Sequence, residues 1–150
     1  MATDAYLQCS KCEYYEYPAS MFEGLLYFSE HGAGVCSKCG APRTYRFDFN
    51  FASESGKRRC RVAAAFEPSD NERPSWTEGS SVVEYFPFLV IFDQDDYSDA
   101  GVWLPYWHLK RSDEGTQTLY GQWAPFMDLE LFTSLVRKAR AAGYLNETAA

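Results

Sequence analysis

The chain has 150 residues, enough for one well-filled core with a small appended module. Acidic residues outnumber basic ones by 21 to 14, a net charge of −7 that argues against general polyanion binding, because phosphate contacts need Lys and Arg in excess. No apolar run reaches the roughly 20 residues of a membrane-spanning helix, and Met1-Ala2-Thr3-Asp4 lacks the basic and apolar regions of a signal peptide, so a soluble, cytoplasmic protein is expected.

Cysteine spacing defines the first element. Cys9-Ser10-Lys11-Cys12 and Cys36-Ser37-Lys38-Cys39 are two C-x-x-C pairs. Two residues between cysteines let both sulfurs point at one ion from a tight turn. Two such knuckles supply four thiolates, which suits a tetrahedral ion such as Zn²⁺. Gly40 follows the second knuckle and can turn with positive φ, letting backbone N–H groups face the sulfurs. Glu13 holds the same place after the first knuckle, where a side chain is less comfortable. Paired disulfides or buried free thiols are the alternative, and a reducing compartment disfavours disulfides. His31 is read as a loop residue, since four cysteines already complete the set.

Cys9 and Cys12 with the run Glu13-Tyr14-Tyr15-Glu16-Tyr17-Pro18 resemble the first knuckle of rubredoxins. Cys36 and Cys39 with Gly40, Ala41 and Phe47 resemble the second, and the likeness covers about residues 6–47. Glu13 replaces the usual glycine, Ser37 replaces the usual proline, and the spacer between knuckles is shorter. A general zinc ribbon fits at least as well. Either resemblance implies the same ligands, Cys9, Cys12, Cys36 and Cys39, around one ion: zinc, or iron with electron transfer.

Between the knuckles, Ser20 and Glu23 have capping-box spacing for a short helix, while Gly24 and the run from Leu25 to Phe28 argue equally for a strand. Tyr45, Phe47, Phe49 and Phe51 then alternate with Arg46, Asp48 and Asn50, which is a strand with one apolar face. Cys60, Val62, Ala64 and Phe66 repeat the pattern. A turn at Ser55-Gly56 would pair Phe51 with Cys60, Phe49 with Val62 and Phe47 with Ala64, placing Cys60 in the core row. Residues 43–61 hold 6 basic and 2 acidic side chains, and residues 62–100 hold 1 and 9. Lys57, Arg58, Arg59 and Arg61 could be neutralised by those acids, or form a basic face for nucleic acid.

Residues 67–80 read as a polar loop in which Trp76 serves as a lid on the sheet or a partner contact. Residues 82–92 read as one strand, with Pro87 marking a bulge or an edge. The acids of 93–99 fail the EF-hand pattern and read as a solvated loop. In 101–109, Trp103 and Trp107 belong to the core or to a stacking platform, to which Tyr106 and His108 would add. Asp128 is a good N-cap for a C-terminal helix, with Leu131, Phe132, Leu135, Val136 and Ala139 in one stripe and Gly143 at its end.

The expected fold is α+β. A four-cysteine knuckle module over 1–43 precedes a mostly antiparallel sheet of about four or five strands over 44–150, with the C-terminal helix packed on one face and the whole forming one unit. The expected function is a zinc-stabilised interaction or adaptor protein whose partner is another protein. The alternatives are an enzyme or ligand binder using Trp103, Tyr106, Trp107 and His108, nucleic-acid binding through 57–61, and iron electron transfer.

Overall fold

The computed structural model describes residues 2–50, 57–95, 99–121 and 124–145. The first half runs β1 (Ala2–Cys9), β2 (Tyr15–Glu16), α1 (Met21–His31), β3 (Arg43–Asn50), β4 (Lys57–Phe66) and β5 (Ser75–Glu78). The second runs β6 (Ser81–Pro87), β7 (Leu89–Asp93), β8 (Gly101–Trp103), β9 (Tyr106–Ser112), β10 (Gly115–Tyr120), β11 (Phe126–Asp128) and α2 (Leu129–Ala141). This is a mostly antiparallel α+β chain. Instead of four or five strands, the described residues form a seven-stranded sheet in the order β11-β8-β7-β4-β3-β1-β2 and a four-stranded one in the order β10-β9-β6-β5.

Two prolines account for the division into two sheets. The stretch 82–92, expected as one strand, is β6 in the small sheet and β7 in the large one. Pro87 closes β6, because proline has no N–H to continue a ladder. Leu104-Pro105 makes the same break between β8 and β9. The two breaks meet: the Phe88 N–H donates to the Pro105 carbonyl at 2.8 Å.

The alternating rows of β3 and β4 face the core as their pattern predicts, but in another register. Phe47 pairs with Cys60 and Phe49 with Arg58, four residues from the expected pairing. Side chains alternate with period two, so a shift of four leaves each on its own face. Asn50 opposite Lys57 is the last pair among the described residues; the expected turn at Ser55-Gly56 and Phe51 lie outside them. A register irregularity between Val62 and Ala64 then turns the rest of β4 over. Cys60, Val62 and Ala65 are buried, while Phe66 is exposed rather than in the core row.

The segment left open between helix and strand is α1. Ser20 caps it, accepting a hydrogen bond from the Glu23 N–H at 3.1 Å. Phe22 reaches into the core against Phe86, Phe88 and Trp107, with ring centroids 5.0, 5.9 and 5.4 Å away. α1, not α2, therefore supplies the helical part of the core. No α2 residue is buried, and Leu131 and Leu135 are exposed; the helix leans on the ends of β8 and β11 instead of covering a sheet face. Gly143 keeps its expected role past the helix end, with φ 96°.

Candidate metal centre

The knuckles are continuations of paired strands. β1 and β3 pair from Ala2 opposite Phe49 to Cys9 opposite Arg43, so the ladder delivers Cys9 beside the start of β3. The Ser10 N–H donates to the Pro42 carbonyl at 3.0 Å and ties one knuckle to the other. Within the second knuckle, the Cys36 N–H donates to Ala41 and the Gly40 N–H to Cys36, at 2.8 and 2.9 Å. Gly40 turns at φ 74° and Glu13, at the matching place, at φ 61°. Glu13 thus takes the left-handed conformation that glycine adopts without cost.

All four sulfurs, of Cys9, Cys12, Cys36 and Cys39, lie within 4.8 Å of one another. None is in a disulfide. The Cys9 and Cys39 sulfurs are 3.3 Å apart and those of Cys12 and Cys36 3.7 Å. A tetrahedral ion with zinc–sulfur bonds of about 2.3 Å sets its ligands about 3.8 Å apart, so a small closure or spreading of these turns suffices. Backbone N–H groups face the sulfurs as expected: Lys11 and Cys12 each donate to Cys9 at 3.3 Å, and Lys38 to Cys36 at 3.4 Å.

The electrostatics favour a cation. The Cys9 thiol is pulled down to about 6, first by the Cys12 N–H, against burial and with help from Lys11. Cys39 goes the other way. The Ala41 N–H lowers it, but the Cys9 sulfur, burial and the neighbouring Cys12 and Cys36 sulfurs outweigh that and push it up to about 12. One thiolate forms readily, and further negative charge so close is resisted. A divalent ion reverses that balance, because it makes every ionised sulfur a ligand. The donor set fits Zn²⁺, and four thiolates leave no open position for a substrate.

Residues outside the cysteines brace the site. The Glu16 carboxylate accepts from Arg43 at 2.9 Å and from the Ser37 N–H at 3.5 Å. Ser37, then Arg43, hold that carboxyl below its usual range. Lys38 Nζ sits 4.1 Å from the Tyr14 ring centroid. Motif spacing does not reveal this brace, because Glu16 and Arg43 meet only after β1, β2 and β3 have paired. His31 is outside the set; it is exposed and stacks on Tyr27 at 4.7 Å.

The other candidate residues are dispersed. Trp103 and Trp107 are 2% and 4% exposed and belong to the core, so they offer no surface platform. Tyr106 and His108 lie on the outer face of the small sheet, with Tyr85 5.4 Å from Tyr106 and Trp76 5.3 Å from His108. Trp76 belongs to the edge strand β5, not to a loop as expected. Arg61 pairs with Asp93 at 3.4 Å, and the neighbouring Arg46 with Asp95 at 2.5 Å, so acids of the 93–99 stretch serve as counter-ions to the basic strands. Arg58 and Arg59 also have interaction partners, and the Lys57 side chain lies outside the described residues.

Among the described residues, no helix is long and apolar enough to cross a membrane. No family model, no curated protein and no solved structure matches this chain.

Proposed function

We propose that Cys9, Cys12, Cys36 and Cys39 hold one structural zinc ion in a ribbon-type knuckle pair, and that the protein works as an interaction or adaptor protein for another protein in a reducing, cytoplasmic compartment. The observation that carries the metal reading is the convergence of four unbonded sulfurs within 4.8 Å. A complete sulfur shell favours a structural over a catalytic ion. The surface around the knuckles supports the interaction reading. Tyr17 is 66% and Val35 60% exposed, and Tyr14 and Tyr15 are also exposed. Exposed aromatic and apolar side chains flanking the knuckles in sequence suit a protein contact.

The test begins with metal analysis and an absorption spectrum of freshly purified protein. One zinc per chain in a colourless sample is expected, and Cys12→Ser should lose it and lower the melting temperature. A red sample with one iron would replace this reading with electron transfer. Absence of any stoichiometric metal would overturn both. The adaptor half is tested by crosslinking in the native host. A discrete protein adduct that Tyr17→Ser with Val35→Ser abolishes supports it, and an unchanged adduct pattern refutes it.

A further inference from the structure

The four-stranded sheet ends in two open margins, β5 and β10. Hydrogen-bond phase decides which backbone groups of β10 face outward. Opposite residues of an antiparallel ladder alternate between exchanging both bonds and exchanging none. The Gly121 N–H donates to the Tyr106 carbonyl at 2.9 Å, and the register carries that phase to Leu119 opposite His108 and Gln117 opposite Lys110. Thr116, Thr118 and Tyr120 therefore aim their N–H and C=O groups away from β9, past the end of the sheet. The other strands keep the same phase. The Tyr85 N–H turns toward β5 and donates to the Pro74 carbonyl at 2.9 Å, and Pro87 lies opposite Tyr106, where no N–H is needed.

Other open margins of the described residues carry guards against strand pairing. β2 and β11 have only two and three residues. The open part of β1 contains Asp4 and a register irregularity. The part of β4 that precedes its pairing with β7 is basic, and β5 is four residues long and ends on Glu78. β10 has no such guard. Its six residues, Gly-Thr-Gln-Thr-Leu-Tyr, include no charge and no proline, and all but Tyr120 are fully exposed. Thr and Tyr also favour the extended state.

We propose that β10 pairs antiparallel with β10 of a second copy of this chain, about a two-fold axis at Thr118, joining two four-stranded sheets into one of eight. The strand's own sequence selects that occupant. With Thr118 opposite itself, Thr116 faces Tyr120 of the second copy, so every outward residue exchanges its bonds. Moving the axis to Gln117 or to Leu119 leaves Tyr120 or Thr116 beyond the ladder. The side chains agree with this register. Thr beside Thr and Thr beside Tyr are favourable cross-strand pairs, and Gln117 covers the open side of Leu119. No like charges meet, although each chain carries −7. The contact is isologous, so it closes as a dimer and does not grow further. One strand pair buries less than the roughly 1,200 Å² of a stable interface, so the dimer is weak and exchanging. Neither the metal nor the adaptor reading enters this contact.

The test is sedimentation equilibrium of the full chain from about 10 µM to about 1 mM, with amide exchange at both ends of that range. The mean mass should rise toward that of a dimer. Amide protons of Thr116, Thr118 and Tyr120 should gain protection with concentration, while Gln117 and Leu119 are protected throughout. Thr118→Pro removes an N–H that β9 does not use, which an edge strand tolerates. It should raise the dimer dissociation constant at least about tenfold, and Thr118→Lys, which sets two ammonium groups across the axis, should do the same. The second variant decides the matter if the first disturbs the fold. A chain that stays monomeric to 1 mM overturns the proposal, as does a dimer that persists in both variants. A monomeric chain whose crosslinked adduct in the native host is lost in Thr118→Lys would give this edge to another protein's strand, and overturn it too.

Discussion

Glu13 and Gly24 show how single positions carry the architecture. Glu13 turns at φ 61°, in a region that disfavours residues with a Cβ. Glu13→Gly should therefore stabilise the metal-loaded protein by about 0.5–1 kcal/mol, read from the urea midpoint, and an unchanged or lower midpoint would count against strain there. The comparison with Gly40 was legible in the sequence, since both residues directly follow the second cysteine of a pair. Gly24 was not. It sits inside α1, where alanine would ordinarily be better by about 1 kcal/mol. Its reason is Tyr45, which comes from a distant strand and takes up the space of a Cβ. Gly24→Ala should cost about 2 kcal/mol, and adding Tyr45→Phe should restore part of that loss in a double-mutant cycle.

At the scale of elements, legibility followed burial. β3 has a period-two pattern because one face meets the core, whereas Ser20 and Glu23 suggested a helix start that Gly24 and the run from Leu25 to Phe28 left open between helix and strand. β10 is exposed along nearly its whole length and β5 throughout, so neither carries an apolar row to read. The irregularity after Val62 was equally silent, because Ala63, Ala64 and Ala65 are interchangeable in a pattern and differ only in their partners. Charged contacts between elements form another layer. Glu84 on β6 accepts from Arg73 in the connection before β5 at 2.5 Å and from Arg111 on β9 at 3.1 Å. Burial alone would raise this carboxyl, but Arg111 and Arg73 outweigh it and hold it below the usual range. A depressed carboxyl contributes stability above its unfolded pKa of about 4.3, and that contribution disappears as pH falls through the folded value. Glu84→Gln should cost about 2 kcal/mol at pH 7 and flatten the acid limb of the stability curve. A parallel, merely displaced curve would show that the ion pairs do not set that limb.

For the whole molecule, the α+β class and the convergence of Cys9, Cys12, Cys36 and Cys39 follow from composition and spacing alone. The two-sheet arrangement does not. It depends on where prolines interrupt long apolar runs: Pro87 alone reads as a bulge or an edge, and the passage between sheets emerges only with the Phe88 N–H on the Pro105 carbonyl. The placement of the last helix was mistaken for a related reason. An apolar stripe marks one side of a helix without naming what meets it, and α1 had already filled the space beneath. α2 leans on the margin of the large sheet with every side chain at least partly open to water. The polypeptide can thus be shortened to Asp128 with the interior left intact. Such a truncated form should lose about 2 kcal/mol, keep its near-ultraviolet dichroism and still melt in one cooperative step.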